Sequence, residues 1–233
     1  MLISYGKLFF LAVVMTAAAS GCAMRNHFAA LPILPDDRNH REAEQRAQQT
    51  IAHLFPAQYR ATQRAIITAV GKQFTCDGLL TVSPVDGYHL ALVSSFGVVT
   101  DLRVKADGAT ELLKVTPLFR EDWSRNFVAR DLRWLFVPPA NLQSAGQLAD
   151  RRLVLQAGPD ADGVSAEYIF SADGSRWQEL FLARNGKTFY RAVARHYLKF
   201  PAMAAEIPNE FEVSAESYRL ELRVAALKPE AQP

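Results

Sequence analysis

Residues Phe74 to Val104 read FTCDGLLTVSPVDGYHLALVSSFGVVTDLRV, and a period of two runs through them. Phe74, Cys76, Gly78, Leu80 and Val82 alternate with Gln73, Thr75, Asp77, Leu79 and Thr81, and Asp86-Gly87 then turns the chain into a second strand, Tyr88 to Ser95. A third runs from Val98 through Val104 to a further turn signal at Asp107-Gly108, and a fourth, Thr110 to Val115, follows at once. Short strands joined by tight turns about ten residues apart indicate an antiparallel meander, not a parallel α/β sheet.

Outward from this stretch the period changes twice. Pro117 closes the meander, and Glu121 to Val137 carries Trp123, Phe127, Val128, Leu132, Trp134 and Leu135 at helical spacing, with Arg125, Asn126, Arg130 and Arg133 mostly on another side. Pro138-Pro139 stop this helix. Strands resume at Arg152 to Ala157, Val164 to Ser171, Trp177 to Ala183, Thr188 to Phe200 and Tyr218 to Leu227, with turns at Asp162-Gly163, Asp173-Gly174 and Asn185-Gly186. In the last strand Tyr218, Leu220, Leu222 and Val224 alternate with Arg219, Glu221 and Arg223, so one face is wet and one buried.

On the N-terminal side, Asn39 to Phe55 has Ala43, Ala47, Ile51 and Leu54 at helical spacing and Pro56 as its stop. This predicts an amphipathic helix whose modest stripe lies on a sheet without entering a core. The expected fold is mainly β with α: one strongly curved antiparallel half-barrel of about ten strands, an internal helix as plug and an N-terminal amphipathic helix. A sheet that wide curls, and its concave face needs a cover.

The chain has 233 residues, 49% of them hydrophobic and 21% charged, with a net charge of +2. Basic residues are spread among acidic ones, which argues against nucleic acid as a partner. Two cysteines, Cys22 and Cys76, exclude a disulfide-dense scaffold and a four-thiolate zinc site. Leu8 to Ala19 carries no charge over twelve residues, short of the roughly 20 that a spanning helix needs, and is expected to be a signal-peptide core within residues 1–21. Ala19-Ser20-Gly21-Cys22 resembles the lipobox of bacterial lipoproteins, in which the cysteine thiol is acylated before cleavage. The other open reading is a secretory signal cut after Ala17-Ala18-Ala19, with Cys22 incidental. Ala23, where inner-membrane retention commonly uses Asp, points to the outer membrane. Residues 22–35 are then an acylated tether, 36–228 the folded domain and 229–233 a tail. With Cys22 acylated, Cys76 is expected to be a small buried apolar residue.

Three stretches carry a wider resemblance. Tyr88 to Val104 is similar to the hairpin of the LolA/LolB family of lipoprotein carriers and receptors, in which an apolar residue before Gly protrudes at the tip; Phe96-Gly97 stands there, where the receptor has Leu. Asp131 to Pro138, DLRWLFVP, resembles the family's cavity-lining helix ending in Trp-hydrophobic-Pro. Tyr168 to Trp177, then Pro201-Ala202-Met203 and a final alternating strand, follow the family layout. LolB-like lipoproteins associated with aryl polyene or fatty-acid-like gene clusters resemble the chain equally.

The resemblance implies binding and hand-over of lipid or lipoprotein acyl chains at the periplasmic face of the outer membrane, by a monomer that receives cargo from a periplasmic LolA-like carrier. Apolar alternating positions make Cys76, Leu80, Val82, Leu90, Leu92, Leu102 and Val104, with Phe127, Trp134 and Leu135 from the helix, candidates for lining the cavity; filling a dry core is the other reading of each. Phe96 and Gly97 are candidates for insertion into a bilayer or partner, against packing under the sheet edge. Arg130 and Arg133 are candidates for head-group contacts, against a solvated helical face. No cofactor or metal is expected. The chain has no Gly-x-Ser-x-Gly elbow, no His-Glu-x-x-His and no phosphate-cradling loop, so no enzyme is expected, with a scaffold lipoprotein or an acyl hydrolase as alternatives.

Overall fold

Among the described residues twelve strands, not about ten, form one antiparallel sheet in the order β5-β4-β3-β2-β1-β12-β11-β10-β9-β8-β7-β6. The computed structural model describes residues 38–229 apart from 106–108, 118, 120, 138, 140–141 and 202–205. The stretches expected to be a signal peptide (1–21) and a tether with Cys22 (22–35), the expected turn signal Asp107-Gly108, Pro138, Ala202-Met203 and residues 230–233 lie outside the described residues.

The strands are β1 (Tyr59–Ala69), β2 (Lys72–Ser83), β3 (Gly87–Ser94), β4 (Gly97–Val104) and β5 (Thr110–Val115), then β6 (Gln143–Gln147), β7 (Leu153–Ala157), β8 (Val164–Phe170), β9 (Trp177–Arg184), β10 (Lys187–Leu198), β11 (Ile207–Ala215) and β12 (Tyr218–Pro229). Three of them, β1, β6 and β11, are additions to the strands read from sequence. In β1 the inward positions are Tyr59, Ala61, Gln63, Ala65, Ile67 and Ala69, small or polar for the most part, so hydropathy does not alternate as burial does. Strand β6 is the polar QSAGQ, at an edge where such a strand is tolerated, and β11 contains Pro208.

The sheet is two meanders, β1–β5 and β6–β12, joined at its centre by antiparallel pairing of β1 with β12. The free edges are β5 and β6, which are consecutive in the chain. The segment between them contains the internal helix: a short α2 (Glu121–Trp123), a π-helical turn (Ser124–Val128) and α3 (Ala129–Phe136). The chain thus runs from one edge of the sheet to the other by way of a helix.

That helix buries Leu132, Trp134, Leu135 and Phe136 in the same core cluster as the inward residues of the strands. It is also held by tyrosines. The hydroxyls of Tyr59, Tyr88 and Tyr168 donate to the carbonyls of Phe136, Ala129 and Trp134 at 3.3, 3.4 and 3.1 Å. Trp134 and Phe136 belong to the last turn, whose carbonyls have no partner within the helix, so β1 and β8 cap it. At the other end the buried hydroxyls of Thr100 on β4 and Ser124 are 2.9 Å apart.

The N-terminal helix, α1, spans Arg38–Ala52. Its stripe enters the core, contrary to the sequence expectation: Ala47 and Ile51, with Leu54 just beyond, belong to the main cluster. The reason lies in the β8–β9 turn. Gly174 has φ +72°, and a Cβ there would collide with the Ala43 carbonyl, so only glycine lets the helix sit this close. Thr50 Oγ1 donates to the Gly174 carbonyl at 2.9 Å, and Asp173 orders the same turn by accepting from the Ser175 amide at 3.1 Å.

Candidate functional site

Between the internal helix and strands β1, β3 and β12 the apolar surfaces do not quite meet. A cavity of about 50 Å3 remains. Its sheet wall is Ala65 and Ile67 of β1, Leu90 and Leu92 of β3, and Leu220 and Leu222 of β12. Its helix wall is Trp123, Phe127, Val128, Leu132, Leu135 and Phe136, with Phe119 just before. Gln63, Asp131 and Tyr218 are the polar residues on the lining.

Of the ten residues expected to line a cavity, Leu90, Leu92, Phe127 and Leu135 do so. Cys76, Leu80, Val82, Leu102, Val104 and Trp134 are buried in the packed core around it. Cys76 is a free thiol among the described residues, and burial first, then the neighbouring Asp77 carboxylate, push its pKa up, so it is held as an inert thiol.

Asp131 occupies a position that the helical spacing assigns to the apolar face, four residues after Phe127 and four before Leu135. The Tyr218 hydroxyl lies 2.6 and 2.7 Å from its two carboxylate oxygens and donates to them. The Arg130 guanidinium donates to the Tyr218 oxygen in turn, at 2.9 Å. Burial dominates and lifts the Asp131 pKa to about 6, against the opposing pull of Arg130 and the Tyr218 bond. Arg130 sits 5.1–5.8 Å from the ring centroids of Phe127, Phe189, Tyr190 and Tyr218. It is turned toward an aromatic enclosure. Arg133 pairs with Asp160 at 3.2 Å and covers the Trp134 ring.

Phe96 stands in the two-residue β3–β4 turn and is 88% exposed, so it does not pack under the sheet edge. Its amide donates to Ser94 Oγ at 3.1 Å, and Gly97 follows with φ +102°, so the turn is ordered while the ring is left to solvent.

Gln63 and Asp131 escaped the sequence reading. Asp131 was detectable from its helical spacing; Gln63 required β1 to be recognised first. No histidine is paired with Cys76 among the described residues. His89 Nε2 meets Asp101 at 2.6 Å on the outer face of β3 and β4, whereas Cys76 points inward, and Asp86 is held instead by Ser83. Among the described residues no group of three His, Cys, Asp or Glu is placed to hold a metal ion, and no helix is long and apolar enough to cross a membrane.

No family model matches the chain, and no curated protein matches it in sequence. Solved structures match it in fold. A domain from Vibrio parahaemolyticus described as an outer membrane lipoprotein-sorting protein superimposes with a TM-score of 0.57 at 13% identity, covering 82% of this chain and 94% of that one. A LolA superfamily protein from Nitrosomonas europaea gives 0.57 at 7% identity, over 84% and 96% of the two chains. A DUF1329 family protein from Desulfovibrio piger gives 0.51 at 9% identity, over 84% and 95%. The chain has a LolA/LolB-like fold.

Proposed function

From the LolA/LolB-like fold and the hollow beneath its internal helix, we propose that this chain is an outer-membrane lipoprotein that binds acyl chains of a lipid or lipoprotein and takes part in their transfer. The observation that carries this reading is the cavity itself, walled by Leu90, Leu92, Leu220 and Leu222 on one side and Phe127, Leu132 and Leu135 on the other. Each methylene buried there contributes about 0.8 kcal/mol, so burial alone can drive uptake. A space of about 50 Å3 admits only a few atoms, and a full acyl chain enters by displacing the helix from the concave face. Cys22, acylated, holds the domain at the membrane; Phe96 and Gly97 form the tip that enters a bilayer or a partner; Arg130 and Arg133 come within reach of a head group once the helix moves. A LolA-like periplasmic carrier would supply the cargo to this monomer, and no bond is broken in the hand-over.

The small volume of the cavity favours a second reading, a scaffold lipoprotein with no cargo. Native mass spectrometry with lipid extraction on the periplasmically expressed Cys22→Ser chain separates the two. A stoichiometric acyl species supports acyl binding and identifies the cargo class. An empty folded protein that also refuses added fatty acid sinks the proposal in favour of the scaffold.

A further inference from the structure

The alternation of β1 puts Gln63 on the concave face between Ala61 and Ala65, where only 4% of it is exposed. Three independent features converge on this amide. The register of β1 against β12 slips between Thr62 and Gln63, an irregularity of the kind that re-aims a side chain. Gly78 stands directly opposite on β2, and a Cβ there would lie 2.7 Å from Gln63 Cγ and 2.9 Å from its Nε2. The absence of a side chain at residue 78 is therefore what makes room for the amide. Finally, Gln63 Oε1 is buried on the cavity wall with no hydrogen-bond partner among the described residues.

A buried acceptor left without a donor is destabilising, and an apolar side chain of the same size would fill the place without that penalty. The other polar groups on the wall, Asp131 and Tyr218, are bonded to each other. Gln63 is thus the acceptor with spare capacity. It faces a space that holds a hydroxyl and a few methylenes.

Building on the acyl-binding reading above, we infer that Gln63 accepts a hydrogen bond from a hydroxyl group carried on the acyl chain, so that the preferred cargo is a hydroxylated acyl chain. A hydroxyl suits the amide in both directions, donating to Oε1 and accepting from Nε2.

The test uses the full Cys22→Ser chain and displacement of a fluorescent fatty acid by two probes, hexadecanoate and 3-hydroxyhexadecanoate. The wild-type residue is expected to favour the hydroxylated probe by about fivefold, the worth of one net hydrogen bond. Gln63→Met, matched in size, is expected to bring the ratio to about one while retaining hexadecanoate binding. Equal affinities in the unsubstituted protein overturn the inference and leave acyl binding standing, and this comparison holds even if the variant fails to fold. A preference that survives in folded Gln63→Met overturns it as well. If Gln63→Met is more heat-stable and the unsubstituted ratio is one, the amide serves only a buried water. Failure of both probes to bind removes the acyl-binding reading and this inference with it.

Discussion

Asp131 shows how one residue couples the helix to pH. Its pKa rises from 3.8 to about 6 because burial disfavours the carboxylate, so the folded state holds the proton more tightly than the unfolded one. The stabilisation is therefore complete below pH 3.8 and is lost as pH rises through about 6. Urea unfolding of the wild type and Asp131→Asn across pH 4 to 8 should show the stability of the wild type, relative to the variant, falling by about 2 kcal/mol between pH 4 and 7. Parallel pH profiles would mean that Asp131 is not desolvated. Phe96 makes the opposite case, a side chain with no structural task in the fold. Phe96→Glu should leave the unfolding midpoint unchanged within about 0.5 kcal/mol while slowing transfer of acyl cargo to liposomes; unchanged transfer removes the tip from the mechanism. Residues on strongly periodic stretches were legible from sequence, which is why Leu90, Leu92, Phe127 and Leu135 could be named. Gln63 could not, because its flanking Ala61 and Ala65 are too small to announce a strand.

Among the elements, those read correctly carry their own punctuation. Asp162-Gly163, Asp173-Gly174 and Asn185-Gly186 sit between strands of the sheet, and Asp86-Gly87 leads from the β2–β3 turn into β3. Strand β6 has a single small apolar residue, Ala145, and among the described residues no strand on its outer side, and β11 is disguised by Pro208, so neither has a local signature. The π-helical turn in the internal helix was also invisible, since a π turn differs from an α turn by one residue in the hydrogen-bond ladder. The depth at which α1 seats was hidden for a different reason: it is set by Gly174, more than a hundred residues away. Gly174→Ala brings a Cβ against the Ala43 carbonyl and strains a backbone at φ +72°, which should cost about 2–3 kcal/mol. Amides of α1 should then lose hydrogen-exchange protection while those of β1 and β2 keep theirs. Uniform loss across the molecule would show that α1 is integral to a single cooperative unit.

At the scale of the whole molecule, function turns on how the two sheet edges relate to the helix between them. Pairing of β1 with β12 joins residues at opposite ends of the described chain, and no local pattern reports it. Its consequence is that the centre of the sheet is fixed by ladders on both sides, whereas among the described residues the internal helix is held through side chains: apolar packing, three tyrosine-to-carbonyl bonds, the Tyr218–Asp131 and Arg130–Tyr218 bonds, Arg125 on the Thr110 carbonyl, the Arg133–Asp160 ion pair and the Thr100–Ser124 contact. If cargo enters by moving the helix, a covalent link from helix to sheet must block it. Thr100 Oγ1 and Ser124 Oγ are buried and 2.9 Å apart, so the two side chains already meet where a disulfide would link helix to sheet. In Thr100→Cys/Ser124→Cys, oxidation should abolish binding of a fluorescent fatty acid and reduction should restore it, with the circular dichroism spectrum the same in both states. Equal binding by the oxidised and reduced forms would show that acyl chains reach the concave face with the start of the helix in place, and entry would then have to lie at its far end, beside Trp134 and Phe136.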